Sequence, residues 1–284
     1  VTFPFRSILL AVEGTAFDSG AERVGIDLAA SYHLPLSAVL PLVNNAVFES
    51  LAPEREERAE ADALAKISRL EEAAKARGVE LRGTLRTGDE AFREVVAEAR
   101  ERGADLIVLP RRGRHSYLAN LLLGELVHTV TGHTHSDVLA VPRASELWSR
   151  GILLATDGLP HSKRATEVAT ALAVSRGLPL TVLSVAEQHK GHEPDERTAK
   201  VRVELALAVV RVAGARATGR VAAQGKPHQA ILAAARDTGA DLIVIGRRAL
   251  GPVERMLAGS TSEEVAGSAN IPVLIVQHEA ARAA

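Results

Sequence analysis

The chain has 284 residues, a formal net charge of −1 and 46% hydrophobic residues, enough for two domains of ordinary size that each bury a sizeable core. So even a charge balance excludes the basic stripe of a nucleic-acid binder, and no polybasic tail points to an anionic membrane. The absence of cysteine excludes disulfides, zinc–thiolate sites and a cysteine nucleophile, and aromatics at 3% leave the core to Ala, Val, Leu and Ile.

In chain order, residues 5–12 (F-R-S-I-L-L-A-V) are aliphatic and end at Gly14, as a buried strand would. Asp18 or Ser19 caps a predicted helix over 19–32, stopped at His33-Leu34-Pro35, and 36–43 make a second strand. Over 54–76 the apolar positions Ala59, Ala63, Leu64, Ile67, Leu70 and Ala74 fall at helical spacing, and Gly78 ends the run. A half-buried strand is predicted over 79–86, then a helix from Asp89 to about Arg102 with Phe92, Val95, Val96 and Ala99 inward. Leu106-Ile107-Val108-Leu109 is an uninterrupted apolar strand, the mark of a parallel sheet covered on both faces. A loop with glycine and arginine, a helix over about 124–135 and a strand at 138–141 complete this half.

The second half repeats the order. Its strands are predicted near 150–156, 180–185, 216–223, 242–245 and 272–276, and its helices near 161–176, 195–213, 228–238 and 260–269. The repetition is visible in the residues. I-L-L-A-V-E-G (8–14) returns as I-L-L-A-T-D-G (152–158), an offset of 144 (152 − 8). G-A-D-L-I-V-L-P-R-R (103–112) returns as G-A-D-L-I-V-I-G-R-R (239–248), an offset of 136 (239 − 103). Solenoid periods run to about 20–50 residues, so this is a duplicated domain. The expected domains are 1–143 and 150–284, with a linker near 143–150 carrying the only tryptophan, Trp148, expected to pack between domains rather than against a ligand. Residues 201–213 are apolar almost all round, which suggests burial on more than one side, either deep against their own sheet or against another body. The N-terminal residues lack a signal-peptide layout, and no stretch approaches the roughly 20 apolar residues of a bilayer span. The expectation is a soluble cytoplasmic protein.

Alternating strand and helix predicts the α/β class, two tandem doubly wound, Rossmann-like parallel sheets of five strands each. Ligands of such sheets bind beyond the carboxyl ends of the strands at the switch point, which selects loops 13–18, 110–124, 157–162 and 246–260. One of these carries chemistry. Gly246-Arg247-Arg248-Ala249 is followed by nine residues (250–258) and then Gly259-Ser260-Thr261-Ser262. A small residue after a strand lets backbone approach a ligand, and a Gly-Ser-Thr opening a helix aims free amides and the positive dipole end at one spot, which suits phosphate. Thr156 and Asp157 end the first strand of the same half, and Asp157 can accept from ribose hydroxyls or hold a divalent cation. Ser260 with Glu263 three residues on is also a capping box, so the residues alone allow a plain helix cap.

The motifs I-L-L-A-T-D-G, G-A-D-L-I-V-I-G-R-R and G-S-T-S-E-E-V-A-G-S-A-N-I-P-V-L-I-V (259–276) resemble the universal stress protein family in its tandem two-domain form. The resemblance covers nearly the whole chain and implies an adenine nucleotide alpha hydrolase-like fold. ATP-binding members of that family show Gly, two residues, Gly, nine residues, Gly-Ser/Thr, with an aspartate after the first strand. Carried onto this sequence, the resemblance implies that Ala155, Thr156 and Asp157 flank the nucleotide, with Asp157 near the ribose, and that the backbone of Val185 contacts adenine. Ile245, Gly246 and Arg248 line ribose and phosphates, and Gly259, Ser260, Thr261 and Ser262 hold the phosphates. Ala249 departs from the pattern, standing where the family has its second glycine. Its methyl costs little at negative φ and weakens binding at positive φ.

The first half has lost this pattern. Glu13 replaces the aspartate, Pro110 replaces the first glycine and has no N–H, ten residues (114–123) separate Gly113 from Gly124, and Glu125 stands at the phosphate-binding Ser/Thr. A carboxylate about 4 Å from a phosphate charge costs roughly 1 kcal/mol in water and about 4 at an effective dielectric of 20. No ATP is therefore expected in the first domain. Other groupings read as ordinary surface: His128, His133 and His135 lack an acidic partner at matching spacing, and His189 and His192 lie in a loop. His161 reads as a helix-start residue, Arg111, Arg112 and Arg114 as a solvated loop, and Glu54–Glu60 as a mixed-charge helix face. Ser162 near Asp157 lacks the G-x-S-x-G of a nucleophile elbow. No metal site and no catalytic residue is predicted, and any ATP hydrolysis is expected to be slow.

The resulting expectation is a nucleotide-responsive stress-response regulator. ATP, alone or with Mg²⁺, occupies the second domain and biases conformation or the choice of a protein partner whose identity the sequence does not give. The resemblance further implies an internal pseudo-dimer through strands 138–141 and 272–276, with a homodimer as a second level of assembly, and no nucleic-acid or membrane partner. The alternative is a nucleotide-free interaction scaffold with both sites vestigial. A metabolic enzyme on the same fold is a third reading.

Overall fold

The structure of the protein, a computed structural model, describes residues 3–43, 53–111, 120–186, 195–223, 225–247 and 261–278. The chain forms two compact units, one of Phe5–Leu147 and one of Trp148–Ala284 with Val1–Pro4. The first unit runs β1 (Ile8–Ala11), α1 (Ser19–Tyr32), β2 (Leu36–Val43), α2 (Pro53–Lys75), β3 (Leu81–Gly88), α3 (Ala91–Arg102), β4 (Leu106–Arg111), α4 (Asn120–His133) and β5 (Asp137–Pro142). Its strands are all parallel in the order β3-β2-β1-β4-β5. The second unit runs β6 (Ile152–Ala155), α5 (Pro160–Arg176), β7 (Leu180–Val185), α6 (Glu196–Val212), β8 (Ala217–Ala222), α7 (Pro227–Thr238), β9 (Leu242–Gly246), α8 (Thr261–Ser268) and β10 (Val273–Val276). Its parallel order, β8-β7-β6-β9-β10, is the same topology.

Strands β1, β4, β6 and β10 are buried at every residue, as in a parallel sheet with helices on both faces. The edge strands β3 and β8 are mostly half-exposed and carry Arg, Thr and Gly instead. Close packing of α1 onto its sheet requires Gly20, where a Cβ would stand 2.1 Å from the Pro142 carbonyl oxygen.

The repeated G-A-D owes its aspartate to the strand that precedes it in space. Asp105 accepts from the amides of Arg6 and Ser7 at 3.0–3.1 Å, and Asp241 accepts from those of Ser149, Arg150 and Gly151 at 2.8–3.1 Å. Each aspartate thus fixes the chain entering the first strand of its unit. This is also why the predicted strand 5–12 contracts to Ile8–Ala11: residues 6 and 7 spend their amides on a side chain rather than a ladder.

Other boundaries move for local reasons. Val79, predicted to start β3, donates its N–H to Ala74 O and buries against the end of α2, so the strand begins at Leu81. In α2 the buried stripe is Ala63, Ile67, Leu70 and Ala74, while Ala59 and Leu64 face solvent. The helix predicted near 195–213, whose 201–213 stretch reads as apolar almost all round, buries only one face, Ala199, Val203, Leu207 and Val210, and leaves Val201, Leu205, Val209 and Val212 exposed. Trp148 is buried.

One charged network lies inside the first unit. Glu98 on α3 is 1% exposed, and accepts from Thr84 Oγ1 at 3.0 Å, Arg102 Nε at 2.9 Å and Arg86 Nη1 at 2.8 Å. Arg86 also bonds Glu94 and Glu101 at 2.9 Å. Burial works to raise the Glu98 pKa, but the hydrogen bonds from Arg86, Arg102 and Thr84 overcome it and hold the carboxyl below its ordinary value. The hydrogen bonds that Arg86 donates to Glu101, Glu98 and Glu94, the first the largest, raise its own pKa and keep it charged.

Candidate functional site

In the second unit the chain leaves β6 toward β7 and leaves β9 toward β10, in opposite directions across the sheet. The two connections therefore diverge to opposite faces, with α5 packed against α6 and α7 against α8, and a crevice opens at the carboxyl ends of β6 and β9. Register fixes what meets there. Ala155 pairs with Ile245, which sets Thr156 level with Gly246, and Ala155 pairs with Leu183, which sets Asp157 level with Val185. The sequence-predicted Ala155, Thr156, Asp157, Val185, Ile245 and Gly246 thus share one end of three neighbouring strands.

The loop after β6 is built by its own polar side chains. Thr156 Oγ1 donates to Ser162 Oγ at 3.0 Å and accepts from Gly158 N at 3.1 Å, and Ser162 Oγ donates to Leu159 O at 2.8 Å. The Thr156 N–H extends the ladder to Leu183 O at 2.9 Å. Thr156 is buried, and its hydroxyl shapes the turn instead of facing the crevice. Asp157 is half-buried and accepts from Leu159 N through Oδ1 at 3.0 Å, so one carboxylate oxygen is oriented by the turn. Gly158 has φ of +70°, which a side chain would strain.

Across the crevice, β9 ends at the half-buried Gly246, with the Arg247 N–H bonded to Val276 O at 2.8 Å. Arg248, Ala249, Gly259 and Ser260 lie outside the described residues. Thr261 opens α8 half-buried and Ser262 is 2% exposed, while Glu263 and Glu264 occupy the first turn, where acids suit the helix dipole. Glu264 Oε2 lies 2.8 Å from His228 Nδ1, tying the start of α8 to α7.

The same corner of the first unit is filled from within. Asp18, fully buried, accepts from Glu13 N at 3.1 Å and Thr15 N at 2.8 Å, and Thr15 and Asp18 form a capping box. Lys66 of α2 places Nζ 3.8 Å from Asp18 and pairs with Glu22. Pro110 is incorporated in β4 opposite Val141. The helix expected from 124 starts instead at Asn120, so Gly124 and Glu125 lie inside it and not at its first amides. Arg111, expected in a solvated loop, ends β4 and is 8% exposed, because the strand runs two residues past its apolar core; Arg112 and Arg114 lie outside the described residues.

His128, His133 and His135 are exposed, and no group of three or more metal-ligating side chains occurs among the described residues. His161 falls in the first turn of α5, and His189 and His192 lie outside the described residues. One residue beside the crevice escaped the sequence reading: Arg202 of α6. A Cβ built on Gly158 would stand 2.7 Å from its Cγ, 3.3 Å from its Cβ and 3.4 Å from its Cδ, so the stem of Arg202 lies on the loop that presents Asp157. The signal was available in the repeat, since the 136-residue offset aligns Arg202 with Lys66.

Comparison with known proteins matches both units. The model of the "Universal stress protein family" matches residues 4–142 and again 149–277. A curated relative from Thermus aquaticus, "Universal stress protein in QAH/OAS sulfhydrylase 3'region", is 40% identical over 133 residues, covering 44% of this chain and 97% of that protein. "Universal stress protein YxiE" of Bacillus subtilis (strain 168) is 29% identical over 145 residues, covering 44% of this chain and 97% of its own length. Among solved structures, a universal stress protein from Archaeoglobus fulgidus DSM 4304 superposes with a TM-score of 0.74 at 23% identity, covering 95% of this chain and 98% of that one. That likeness shows the fold, an α/β unit repeated in tandem.

Proposed function

The chain belongs to the universal stress protein family, in tandem two-domain form, and from that premise we propose that it is an adenine-nucleotide receptor whose single site is in the second unit. ATP, alone or with Mg²⁺, is the proposed ligand. The observation that carries the reading is the register at the switch point. It sets the Thr156–Asp157 loop, Val185 and the side-chain-free edge of Gly246 at one level, on the sheet that α8 packs against. Asp157, with one oxygen oriented by Leu159 N, suits a ribose diol or a cation, and the first turn of α8 presents main-chain donors of the kind phosphate takes. Arg248, Ala249, Gly259 and Ser260 are assigned to the phosphate end from the motif alone.

The first unit is proposed to bind no nucleotide. Its corner already holds the Lys66–Asp18–Glu22 cluster, and the motif positions carry Pro110 and Glu125. A receptor of this design acts by differential affinity for two conformations or partners, and any hydrolysis it performs is expected to be slow.

The test is thermal. A ligand at about 100 times its Kd stabilises the folded state by about 2.7 kcal/mol, so saturating ATP is expected to raise the melting temperature, and mass spectrometry of the purified protein is expected to find an adenylate. A second reading, a nucleotide-free interaction scaffold, draws on the exposed apolar stripe of α6 formed by Val201, Leu205 and Val209. Protein that melts at the same temperature with and without excess ATP, and carries no nucleotide, would favour that reading.

A further inference from the structure

Helix α6 has two apolar faces, and its own unit uses only one of them. Toward the sheet it buries Ala199, Val203, Leu207 and Val210. On the opposite side Thr198, Val201, Leu205, Ala208 and Val212 are all exposed, Leu205 at 65% and Val212 at 91%. These five recur at steps of three, four, three and four residues, the spacing of a two-helix seam. Val209, exposed as well, widens the stripe on one flank.

The duplication shows that the fold does not require this stripe. Ile67 packs against Gly83 in the first unit, and Val203 against Gly219 in the second, so α2 and α6 lie on their sheets in equivalent registers, 136 residues apart (203 − 67). At that offset the outward Val201, Leu205, Ala208 and Val212 correspond to Ala65, Arg69, Glu72 and Ala76, which are exposed too. One twin thus turns charged and small residues to solvent, as the outer face of an amphipathic helix does. The other turns branched aliphatics outward along a helix of 17 residues, about 25 Å. A contiguous exposed apolar row of that kind marks a contact surface.

The charges beside the stripe select its occupant. Glu204 and Arg211 are both exposed on the flank opposite Val209, seven residues apart. That is two turns, outside the three- and four-residue spacings at which side chains of one helix meet. Arg211 gives Nε and Nη2 to the Ala217 carbonyl at 3.4 and 3.1 Å, a contact in which its Nη1 takes no part. When two copies of α6 run antiparallel with Leu205 of each beside Ala208 of the other, Val201 of each falls beside Val212 of the other. The same two-fold axis brings Glu204 of each copy to Arg211 of the other, so two ion pairs form together. Arg197, one heptad before Glu204, falls past the end of the facing helix. A parallel pairing would set Glu204 against Val209 and form neither pair.

We infer that the outward face of α6 is a self-complementary interface on which a second copy of this chain docks, helix against antiparallel helix. The surface lies over β7 and β8, at the edge of the second unit's sheet away from β10, and the inference does not depend on the nucleotide reading. One helix per copy buries less than the roughly 1,200 Å² of a standard stable interface, so the dimer is expected to dissociate on dilution.

The experiment is sedimentation velocity of the full chain from micromolar to several hundred micromolar, on wild type, Leu205→Glu, Glu204→Arg, Arg211→Glu and an equimolar mixture of the last two. All three positions are exposed, and unchanged melting temperatures in dilute solution verify that the variants stay folded. Wild type is expected to pass from monomer to dimer over this range, and Leu205→Glu to stay monomeric. Each charge reversal alone sets like charges across the axis and is expected to weaken the dimer about ten-fold or more, whereas their mixture restores both ion pairs and dimerises about as wild type does. Wild-type protein that is monomeric throughout overturns the inference, and so does a dimer that Leu205→Glu leaves intact. A dimer lost in Leu205→Glu but indifferent to both charge reversals, or not restored in their mixture, overturns the antiparallel self-pairing that identifies the occupant.

Discussion

Arg86→Met is expected to destabilise the first unit by about 3 kcal/mol at neutral pH, read as a lowered urea midpoint. The substitution removes the donor that reaches Glu98 Oε2 at 2.8 Å and leaves that 1%-exposed carboxylate with Arg102 and Thr84 alone. It also leaves Glu94, Glu98 and Glu101 clustered without the cation that joined them. Breaking a buried pair costs more than the pair contributes, because the remaining charge stays desolvated. The pH dependence has a definite sign. In the native protein the Glu98 pKa is depressed, so its contribution is fully present above the unfolded value of about 4.3 and is lost as pH falls through the folded value. In Arg86→Met burial is less opposed, so the Glu98 pKa rises and protonation relieves the strain. The gap in stability between the two proteins is therefore expected to narrow as pH is lowered from 7 toward 4. A gap that is constant over that range would mean that Glu98 does not mediate the effect.

Gly246→Asp is expected to lower ATP affinity by about three orders of magnitude and to affect adenosine much less. Gly246 ends β9 level with Thr156, at the mouth of the crevice, and has no side chain to stand between the strand edge and a ligand. A carboxylate about 4 Å from a phosphate charge costs about 4 kcal/mol at an effective dielectric of 20, and several phosphate charges make the sign unambiguous. Adenosine carries no such charge, so the ratio of the two losses isolates the electrostatic part. Equal losses for both ligands would point instead to a collapsed crevice, and no loss for either would move the site elsewhere.

Much of the fold was legible because a parallel sheet covered on both faces writes itself as uninterrupted aliphatic runs. Leu106–Leu109 and Leu242–Ile245 are strands for that reason, and the duplication supplied each reading twice. The errors came where a side chain competed with the ladder or where one stripe had two faces. Residues 6 and 7 looked like strand until Asp105 took their amides. Residues 201–213 looked buried all round because apolar residues recur at helical spacing on both the sheet side and the solvent side. In the site, the aspartate and glycine at the strand ends were visible as motif positions, since backbone approach and a short acceptor leave a residue-type signature. The role of Thr156 in holding its own turn was not visible, because a hydroxyl reads alike whether it faces a ligand or Ser162. Arg202 was hidden by distance along the chain, 44 residues from Gly158 (202 − 158), and only the packing of α6 brings them together.

The central claim is that one of two duplicated crevices takes an adenine nucleotide. It is tested most directly by a calorimetric titration of the full chain with ATP, repeated on Gly246→Asp and on Pro110→Asp at the equivalent position of the first unit. The account predicts one ATP per chain, lost in Gly246→Asp and unchanged in Pro110→Asp. Two ATP per chain, none, or a single site that Pro110→Asp removes and Gly246→Asp spares would contradict it.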